Sequence, residues 1–184
     1  MDDKRFTIQI CGFGGQGVIL ASIIFGMAAV TEKGYFAVQT QSFGSEARGG
    51  ECQAELVLSK EPIYSPTSNN VNMLLGMSNL AFNRYLTRVG TKGTLIIDPD
   101  LVNNPNRADV TIFEIPANQI AKELGFALSA NMVFLGALQR VSEIISEQDL
   151  FSAIRQNVNE RFLDINLLAA RKGIELANNL INQE

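Results

Sequence analysis

A glycine-rich segment near the N-terminus has the pattern most suited to binding a ligand. Residues 12–17 read Gly-Phe-Gly-Gly-Gln-Gly and match G-x-G-x-x-G. Glycines at this spacing permit a tight turn, close approach of the backbone to a ligand, and close packing between a strand and a helix. The N–H groups at the start of a following helix would attract a phosphate or a carboxylate. The segment therefore predicts either an anion site or a tightly packed strand–helix junction.

The second part of a dinucleotide site is missing from the sequence. An enzyme that binds a nicotinamide nucleotide usually carries Asp or Glu near the end of the second strand, where the carboxylate holds the ribose. Here residues 38–41 read Val-Gln-Thr-Gln, and Glu32 lies ahead of that strand. NAD binding is therefore disfavoured. The amide of Gln16 remains a candidate hydrogen-bonding group for a ligand or a partner.

A second glycine-containing loop follows the second predicted strand. Residues 42–50 read Ser-Phe-Gly-Ser-Glu-Ala-Arg-Gly-Gly, and ligands bind open α/β sheets at the carboxyl ends of the strands. Arg48, beside two glycines, could bind a carboxylate or a phosphate, or it could pair with Glu46 and stiffen the loop. We predict that both loops contact a ligand or another subunit. The candidate residues are Gly12, Gly14, Gly15, Gln16, Gly17, Ser42, Gly44, Glu46, Arg48, Gly49 and Gly50.

The composition excludes several kinds of catalytic site. Because the chain has no histidine, it cannot form a Ser-His-Asp triad, a Cys-His pair or a histidine-ligated zinc site alone. Cys11 and Cys52 are too few for a four-cysteine cluster and are expected to be buried, reduced thiols. Asp98 and Asp100 could bind a cation, but such a pair is more typical of a solvated turn. We predict no catalytic residue and no metal site in this chain alone.

Strand and helix patterns alternate along the chain. Alternating or short apolar runs bounded by glycine and proline indicate strands, and longer apolar or amphipathic stretches indicate helices. We expect Asn131 to cap its helix, and Ser146 with Asp149 to form a capping box. The alternation predicts an α/β, Rossmann-like, doubly wound, mostly parallel sheet with helices on both faces and a helical C-terminal third. Predicted strands are 6–11, 35–40, 52–58, 71–77, 94–97 and 110–115, and predicted helices are 18–30, 80–89, 131–141, 147–158 and 163–180.

Length and charge indicate one soluble globular domain. The 184 residues suit a single domain spanning 1–184. The net charge of −4 argues against a general nucleic-acid-binding protein. The N-terminus lacks the apolar core of a signal peptide, and no stretch approaches the roughly eighteen apolar residues of a membrane helix. We expect a cytoplasmic protein without a membrane or nucleic-acid partner.

The two glycine loops are more specific together than either is alone. Residues 12–18 read Gly-Phe-Gly-Gly-Gln-Gly-Val, and residues 41–51 read Gln-Ser-Phe-Gly-Ser-Glu-Ala-Arg-Gly-Gly-Glu. This pair strongly resembles the gamma subunit of 2-oxoacid:ferredoxin oxidoreductases. Ser-Lys-Glu-Pro-Ile at 59–63 and Asn-Met-Val-Phe-Leu-Gly-Ala-Leu at 131–138 are similar to that family as well. The resemblance covers nearly the whole chain.

The resemblance implies a subunit of an enzyme that oxidatively decarboxylates a 2-oxoacid to an acyl-CoA, with coenzyme A as co-substrate and ferredoxin as electron acceptor. The expected substrate is 2-oxoglutarate or pyruvate, and the alternative is the equivalent subunit of an indolepyruvate enzyme. Thiamine diphosphate, Mg²⁺ and [4Fe-4S] clusters are expected on other, thiamine-binding and ferredoxin-like, subunits. This chain has too few cysteines for a cluster, and it lacks a Gly-Asp-Gly segment followed by an Asn-rich stretch.

The chain is therefore expected to be an enzyme subunit that is inactive alone. Its two loops would border the entrance for coenzyme A or the substrate, with Gln16 and Arg48 as polar contacts, or they would order the thiamine-binding subunits as interface elements. A subunit of this kind should expose an apolar patch. A stand-alone nucleotide- or anion-binding module, which would bind its ligand without partners, is the alternative from a different class.

Overall fold

The computed structural model describes residues 5–44, 50–66 and 70–183, which form a sheet flanked by helices. The strands are β1 (Arg5–Phe13), β2 (Phe36–Phe43), β3 (Glu51–Ser59), β4 (Val71–Gly76), β5 (Val89–Ile97) and β6 (Thr111–Glu114). The α-helices are α1 (Val18–Lys33), α2 (Asn79–Tyr85), α3 (Ala117–Glu123), α4 (Ala130–Ser142), α5 (Glu147–Asn157) and α6 (Leu163–Ile181). Short 3₁₀ turns lie at Leu86–Arg88, Ala127–Ser129 and Glu160–Phe162.

The elements agree closely with those predicted from periodicity, and the capping box of Ser146 and Asp149 is present at the start of α5. Two details differ. Strand β5 begins at Val89 rather than at residue 94, and its first part was missed because residues 90–93, Gly-Thr-Lys-Gly, lack an apolar alternation. Lys92 in this part adopts a left-handed φ of 65°. Asn131 does not cap α4, since Ser129 occupies the cap position and Asn131 lies inside the helix.

The sheet order is β2-β3-β1-β4-β5-β6. Strands β1, β4, β5 and β6 pair in parallel, whereas β3 runs antiparallel to both of its neighbours. Five strands therefore share one direction, as a mostly parallel sheet requires. Strand β3 is reversed because residues 44–50 join it to β2, and a parallel crossover needs about a dozen residues or more.

This topology brings the two glycine loops to one edge of the sheet. Strands β1 and β2 are both antiparallel to β3, so their carboxyl ends flank its first residues. Phe13 at the end of β1 lies opposite Glu51, and Phe43 at the end of β2 lies opposite Cys52. The loops at 14–17 and 44–50 thus begin side by side, as the sequence predicted.

Helices cover both faces of the sheet, but unequally. The larger apolar core lies on the face of Ile8 and Ile10, where the sheet packs against residues of α1, α4, α5 and α6. A smaller cluster on the opposite face packs Cys11 and Leu74 against Phe82 of α2. Among the helices of the described ranges, none has the length and apolarity needed to cross a membrane.

Helices α4 and α6 cross with their backbones in direct contact. A Cβ atom at Gly136 would overlap the carbonyl group of Ala170, and one at Gly173 would overlap the carbonyl group of Val133. The obstructing atoms belong to backbone, which cannot rotate away as a flexible side chain could. The C-terminal helices are therefore fixed to each other at this glycine pair, which holds α6 on the core.

We predict that Gly136→Ala or Gly173→Ala lowers the free energy of unfolding by about 3 kcal/mol, because the added methyl group forces the helices apart. Gly90→Ala is the matched control, since the space around Gly90 is open, and its stability should stay within about 0.5 kcal/mol of the parent. Urea denaturation of the three variants measures the difference. Equal stability of all three would contradict the close crossing.

Candidate functional site

The first glycine loop turns sharply between β1 and α1. Gly15 and Gly17 adopt left-handed φ angles of 95° and 76°, which residues with a side chain rarely accept. Gly17 is also the residue that precedes α1, and a Cβ atom there would overlap the amide of Asn131. The glycines therefore serve the turn and the packing of α1 against α4, which is one of the two roles predicted from the pattern.

The side chain of Gln16 holds this loop in place. Its Oε1 accepts a hydrogen bond from the Phe13 backbone N–H at 2.6 Å, and its Nε2 donates to the Met77 carbonyl at 2.9 Å. The amide thus joins the end of β1 to the residue that follows β4. Each end of the amide makes a bond inside the chain, and any contact of Gln16 with a ligand or a partner stays a prediction.

Backbone hydrogen bonds join the two glycine loops. The Gly14 N–H donates to the Gly50 carbonyl at 3.0 Å, and the Gly44 N–H donates to the Glu51 carbonyl at 2.6 Å. Gly12, Gly14, Gly15, Gln16, Gly17, Ser42, Gly44 and Gly50 therefore lie along one continuous edge. Glu46, Arg48 and Gly49 fall outside the described residues, so their roles stay predictions.

The start of α1 is uncapped by any side chain within the described part of the molecule. Gly17 makes no side-chain cap, and the first turn of α1 contains no acidic residue. The carbonyl of Gly17 does have a side-chain partner, since Asn131 Nδ2 of α4 donates to it at 3.4 Å. Asn131 is nearly fully buried, and its Oδ1 has no hydrogen-bond partner among the described groups. Its position inside α4 therefore fixes the register between the glycine loop and the C-terminal helices.

A groove of about 350 Å³ opens at the same edge of the sheet. Its two most exposed apolar side chains are Phe43 and Leu80, and Arg84 Nη1 lies 2.8 Å from Glu51 Oε2 across it. The hydrogen bond to Glu51 raises the pKa of Arg84, so the guanidinium keeps its charge at every accessible pH. The groove is lined by Phe13, Ser42, Phe43, Gly44, Glu51, Leu80, Arg84 and Tyr85.

Leu80, Arg84 and Tyr85 belong to α2 and were not predicted as site residues. The sequence does contain a usable indication, because α2 directly follows β4 and must begin at the carboxyl edge of the parallel strands. Burial raises the pKa of the Tyr85 phenol, so this hydroxyl stays neutral and able to donate a hydrogen bond. The groove thus combines apolar side chains, one paired cation and a phenol.

The two cysteines are buried and unbonded to each other, as predicted. Burial, followed by the negative charge of Glu51, raises the pKa of the Cys11 thiol far above its usual range. Its Sγ donates to the Leu75 carbonyl at 3.4 Å. Burial also raises the pKa of Cys52. Because only a thiolate is a good nucleophile or metal ligand, neither residue is suited to catalysis at neutral pH.

The predicted solvated turn at Asp98 is wrong, because Asp98 is completely buried. Its Oδ1 accepts the Asp100 N–H at 3.0 Å, and its Oδ2 accepts the backbone N–H and the Nδ2 of Asn118 at 2.9 and 2.8 Å. The carboxylate thereby accepts hydrogen bonds from a residue in the first turn of α3. Within the described ranges, no group of three or more Cys, Asp or Glu side chains could hold a metal ion.

A polar network lies on the α2 face of the sheet, below the groove. Arg88 Nη1 donates to Gln9 Oε1 at 2.8 Å and to Glu55 Oε2 at 2.7 Å, and Gln9 Nε2 donates to Gln53. Gln9 and Glu55 are buried. Removing Arg88 would leave the buried Glu55 carboxylate without a compensating charge, so the two side chains are needed together. Sequence patterning did not predict it, since the partners are distant in the chain.

The site as a whole provides groups that are suited to binding. Its edge offers backbone N–H groups, a charged guanidinium and exposed apolar side chains, and the titratable groups described are either paired or held neutral. Such an arrangement suits an anionic ligand, another protein surface, or both.

Comparison with known proteins identifies what this arrangement is similar to. The family model described as pyruvate ferredoxin/flavodoxin oxidoreductase matches residues 7–176. A relative named 2-oxoglutarate synthase subunit KorC, from Methanocaldococcus jannaschii, is 41% identical over 179 residues that cover 96% of each chain.

Two solved structures have the same fold. The keto/oxoacid ferredoxin oxidoreductase gamma subunit from Geobacter sulfurreducens superimposes with a TM-score of 0.83 at 33% identity, covering 95% of this chain and 97% of that one. The 2-oxoglutarate:ferredoxin oxidoreductase from Magnetococcus marinus, solved with 2-oxoglutarate, coenzyme A and succinyl-CoA bound, gives a TM-score of 0.86 at 26% identity. That match covers 97% of this chain but 32% of the longer one.

We predict that Gln16→Ala lowers the free energy of unfolding by about 2 kcal/mol, because two hydrogen bonds to the backbone are lost, one of them to the part-buried Met77 carbonyl. Hydrogen exchange of the Phe13 backbone amide should also be faster in this variant. Gln156→Ala is the control, since this exposed amide on α5 makes a long hydrogen bond, donating to Ser152 Oγ at 3.4 Å. Hydrogen exchange and thermal melting measure both variants. Unchanged exchange at Phe13 in Gln16→Ala would contradict the bridging role.

Proposed function

Because the chain belongs to the pyruvate ferredoxin/flavodoxin oxidoreductase family, we propose that it is the gamma subunit of a 2-oxoglutarate:ferredoxin oxidoreductase. The observation that carries this proposal is the 41% identity to a 2-oxoglutarate synthase subunit along 96% of both chains. An end-to-end match of this kind concerns the whole subunit rather than a shared motif. The Geobacter gamma subunit, matched over 97% of its length, supports the same assignment.

The reaction proposed for the complete enzyme is the coenzyme A-dependent oxidative decarboxylation of 2-oxoglutarate. The carboxyl group next to the oxo group leaves as CO₂, the remaining acyl group forms a thioester with coenzyme A, and the electrons pass to ferredoxin. The ligands bound to the Magnetococcus enzyme are the substrate, co-substrate and product of this reaction. They support the same substrate class here.

The redox cofactors of the reaction belong, in this proposal, to other subunits. Thiamine diphosphate with Mg²⁺ would activate the 2-oxoacid, and [4Fe-4S] clusters would carry the electrons. This assignment is supported by the residues of the chain itself, which has no histidine and only two cysteines, both buried. The gamma subunit would then act by binding and by positioning its neighbours.

The glycine-loop edge is the part of the chain that we propose lies at the coenzyme A entrance. Coenzyme A carries phosphate groups, and this edge combines glycines that allow close backbone approach with the start of α1, whose N–H groups no side chain caps. Arg48, in the adjoining loop, would add a charge-assisted hydrogen bond to a phosphate. The groove between Phe43 and Leu80 would take an apolar part of the ligand or of a neighbouring subunit.

We predict that the enzyme assembled from this chain and its native partner subunits turns over 2-oxoglutarate at least about tenfold faster than pyruvate, a branched-chain 2-oxoacid or indolepyruvate, as expected when a site is built for one substrate. Reduction of ferredoxin with each acid, at equal enzyme and coenzyme A concentrations, measures the preference. Preference for indolepyruvate would assign the chain to the related enzyme instead.

We predict that Arg48→Ala raises the apparent KM for coenzyme A about tenfold while the complex stays intact, because one charge-assisted hydrogen bond is lost. Arg155→Ala, an exposed arginine on α5, is the control and should leave KM unchanged. Steady-state kinetics and size-exclusion chromatography give the two readouts. Loss of assembly would assign the loop to a subunit interface, and unchanged kinetics with unchanged assembly would contradict both roles.

A further inference from the structure

One side of the domain, formed by α1 and β2, carries no charge over most of its length. Residues 18–31 of α1 and the whole of β2, Phe36–Phe43, contain no Asp, Glu, Lys or Arg. Helix α1 packs directly on β2 and β3, so the helix and the strand belong to the same side of the molecule. We refer to this side as the α1–β2 surface.

The outward face of α1 is a continuous apolar stripe. Leu20, Ile23, Met27 and Val30 are 36%, 37%, 36% and 43% exposed, and their spacing of three, four and three residues aligns them along the helix. The opposite face of α1 packs into the main core. A helix that is apolar on every side is normally buried on every side, whereas this one is covered on one side only.

The other outer elements of the fold are built differently. The exposed apolar residue Leu168 of α6 is followed on the outer surface by Arg171, Lys172 and Glu175. The opposite edge strand, β6, has four residues and ends at the exposed Glu114. Charges and short edge strands are the usual protection of a surface that stays in water, so the α1–β2 surface stands apart from the rest of the molecule.

Strand β2 also has the properties of an edge that pairs with another chain. It is the outermost strand of the sheet, it is eight residues long, and its terminal side chains Phe36 and Phe43 are 48% and 63% exposed. The Nε2 of Gln39 is buried and has no partner among the described groups. A long, uncharged edge strand presents a row of backbone donors and acceptors to a partner.

We propose that the α1–β2 surface binds the subunit that corresponds to the remaining part of the Magnetococcus polypeptide. In that relative, the equivalent of this chain makes up 32% of a longer chain, so covalent linkage keeps it beside the other two thirds. In the KorC relative from Methanocaldococcus jannaschii, by contrast, the matched region makes up 96% of the whole chain, so a subunit of that length is held to its partner by contacts alone. The partner surface is expected to be apolar and uncharged. This inference rests on the proposed function.

The test uses the complete complex, with the variant Ile23→Glu/Met27→Glu in place of the parent chain. Both side chains are partly exposed in the isolated chain, so their replacement should leave its melting temperature unchanged. In the complex, the new charges would be buried against the partner without a counter-charge, so the dissociation constant of the complex should rise by about a hundredfold or more. Leu168→Glu, at a residue of similar exposure on α6, is the control and should assemble normally. Affinity capture of the partner subunits over a concentration series measures the dissociation constant of each complex.

The outcomes separate the inference from the function on which it rests. If the parent chain captures no partner subunit, the proposed function fails. If parent and double variant assemble equally well, the function stands and the α1–β2 surface is not the interface. If the isolated parent is a dimer that the double variant converts to a monomer, a second copy covers the surface and the inference is overturned. Loss of assembly in the double variant alone supports it.

Discussion

The glycine-loop edge of this protein depends on one side-chain amide, that of Gln16. Its oxygen accepts the Phe13 N–H and its nitrogen donates to the Met77 carbonyl, so the ends of β1 and β4 are held together. This geometry requires glycine at position 12, because a Cβ atom there would lie 2.5 Å from Gln16 Oε1. From this fixed point Gly14 reaches the Gly50 carbonyl and joins the second loop. The shape of this edge is therefore a consequence of local hydrogen bonding, to which ligand or partner contacts would be added.

Much of this arrangement can be predicted from the sequence, because it depends on local periodicity. The alternation of strands and helices, the capping box at α5 and the meeting of the two loops at one sheet edge all follow from residues close in the chain. The reversed direction of β3 was missed, although the short connection at 44–50 indicates it. Asn131, Asp98 and the Gln9–Glu55–Arg88 network could not be assigned correctly, because their partners are Gly17, Asn118 and residues of other strands. Such contacts exist only after the chain has folded.

Two parts of the molecular surface, the glycine-loop edge and the α1–β2 surface, have different chemical character. The glycine-loop edge offers backbone donors, a paired guanidinium and a small groove, which suit a polar ligand at the boundary between subunits. The α1–β2 surface offers apolar side chains and an open strand edge, which suit a permanent protein interface. The carboxylate of Glu51 in the groove is paired with Arg84, and the α1–β2 surface carries no charge over residues 18–31 and 36–43. In the proposed function, the chain holds neighbouring subunits and the entrance between them in one geometry, and small errors in such positioning are costly to catalysis.

The most direct test of this account is to omit the chain from the enzyme. The partner subunits are purified without it, and ferredoxin reduction with 2-oxoglutarate and coenzyme A is measured before and after the separately purified chain is added back. The account predicts a rate at least about a hundredfold lower without the chain, and full recovery once one copy per missing subunit has been added. Full turnover in its absence would contradict the central claim that this subunit positions the others.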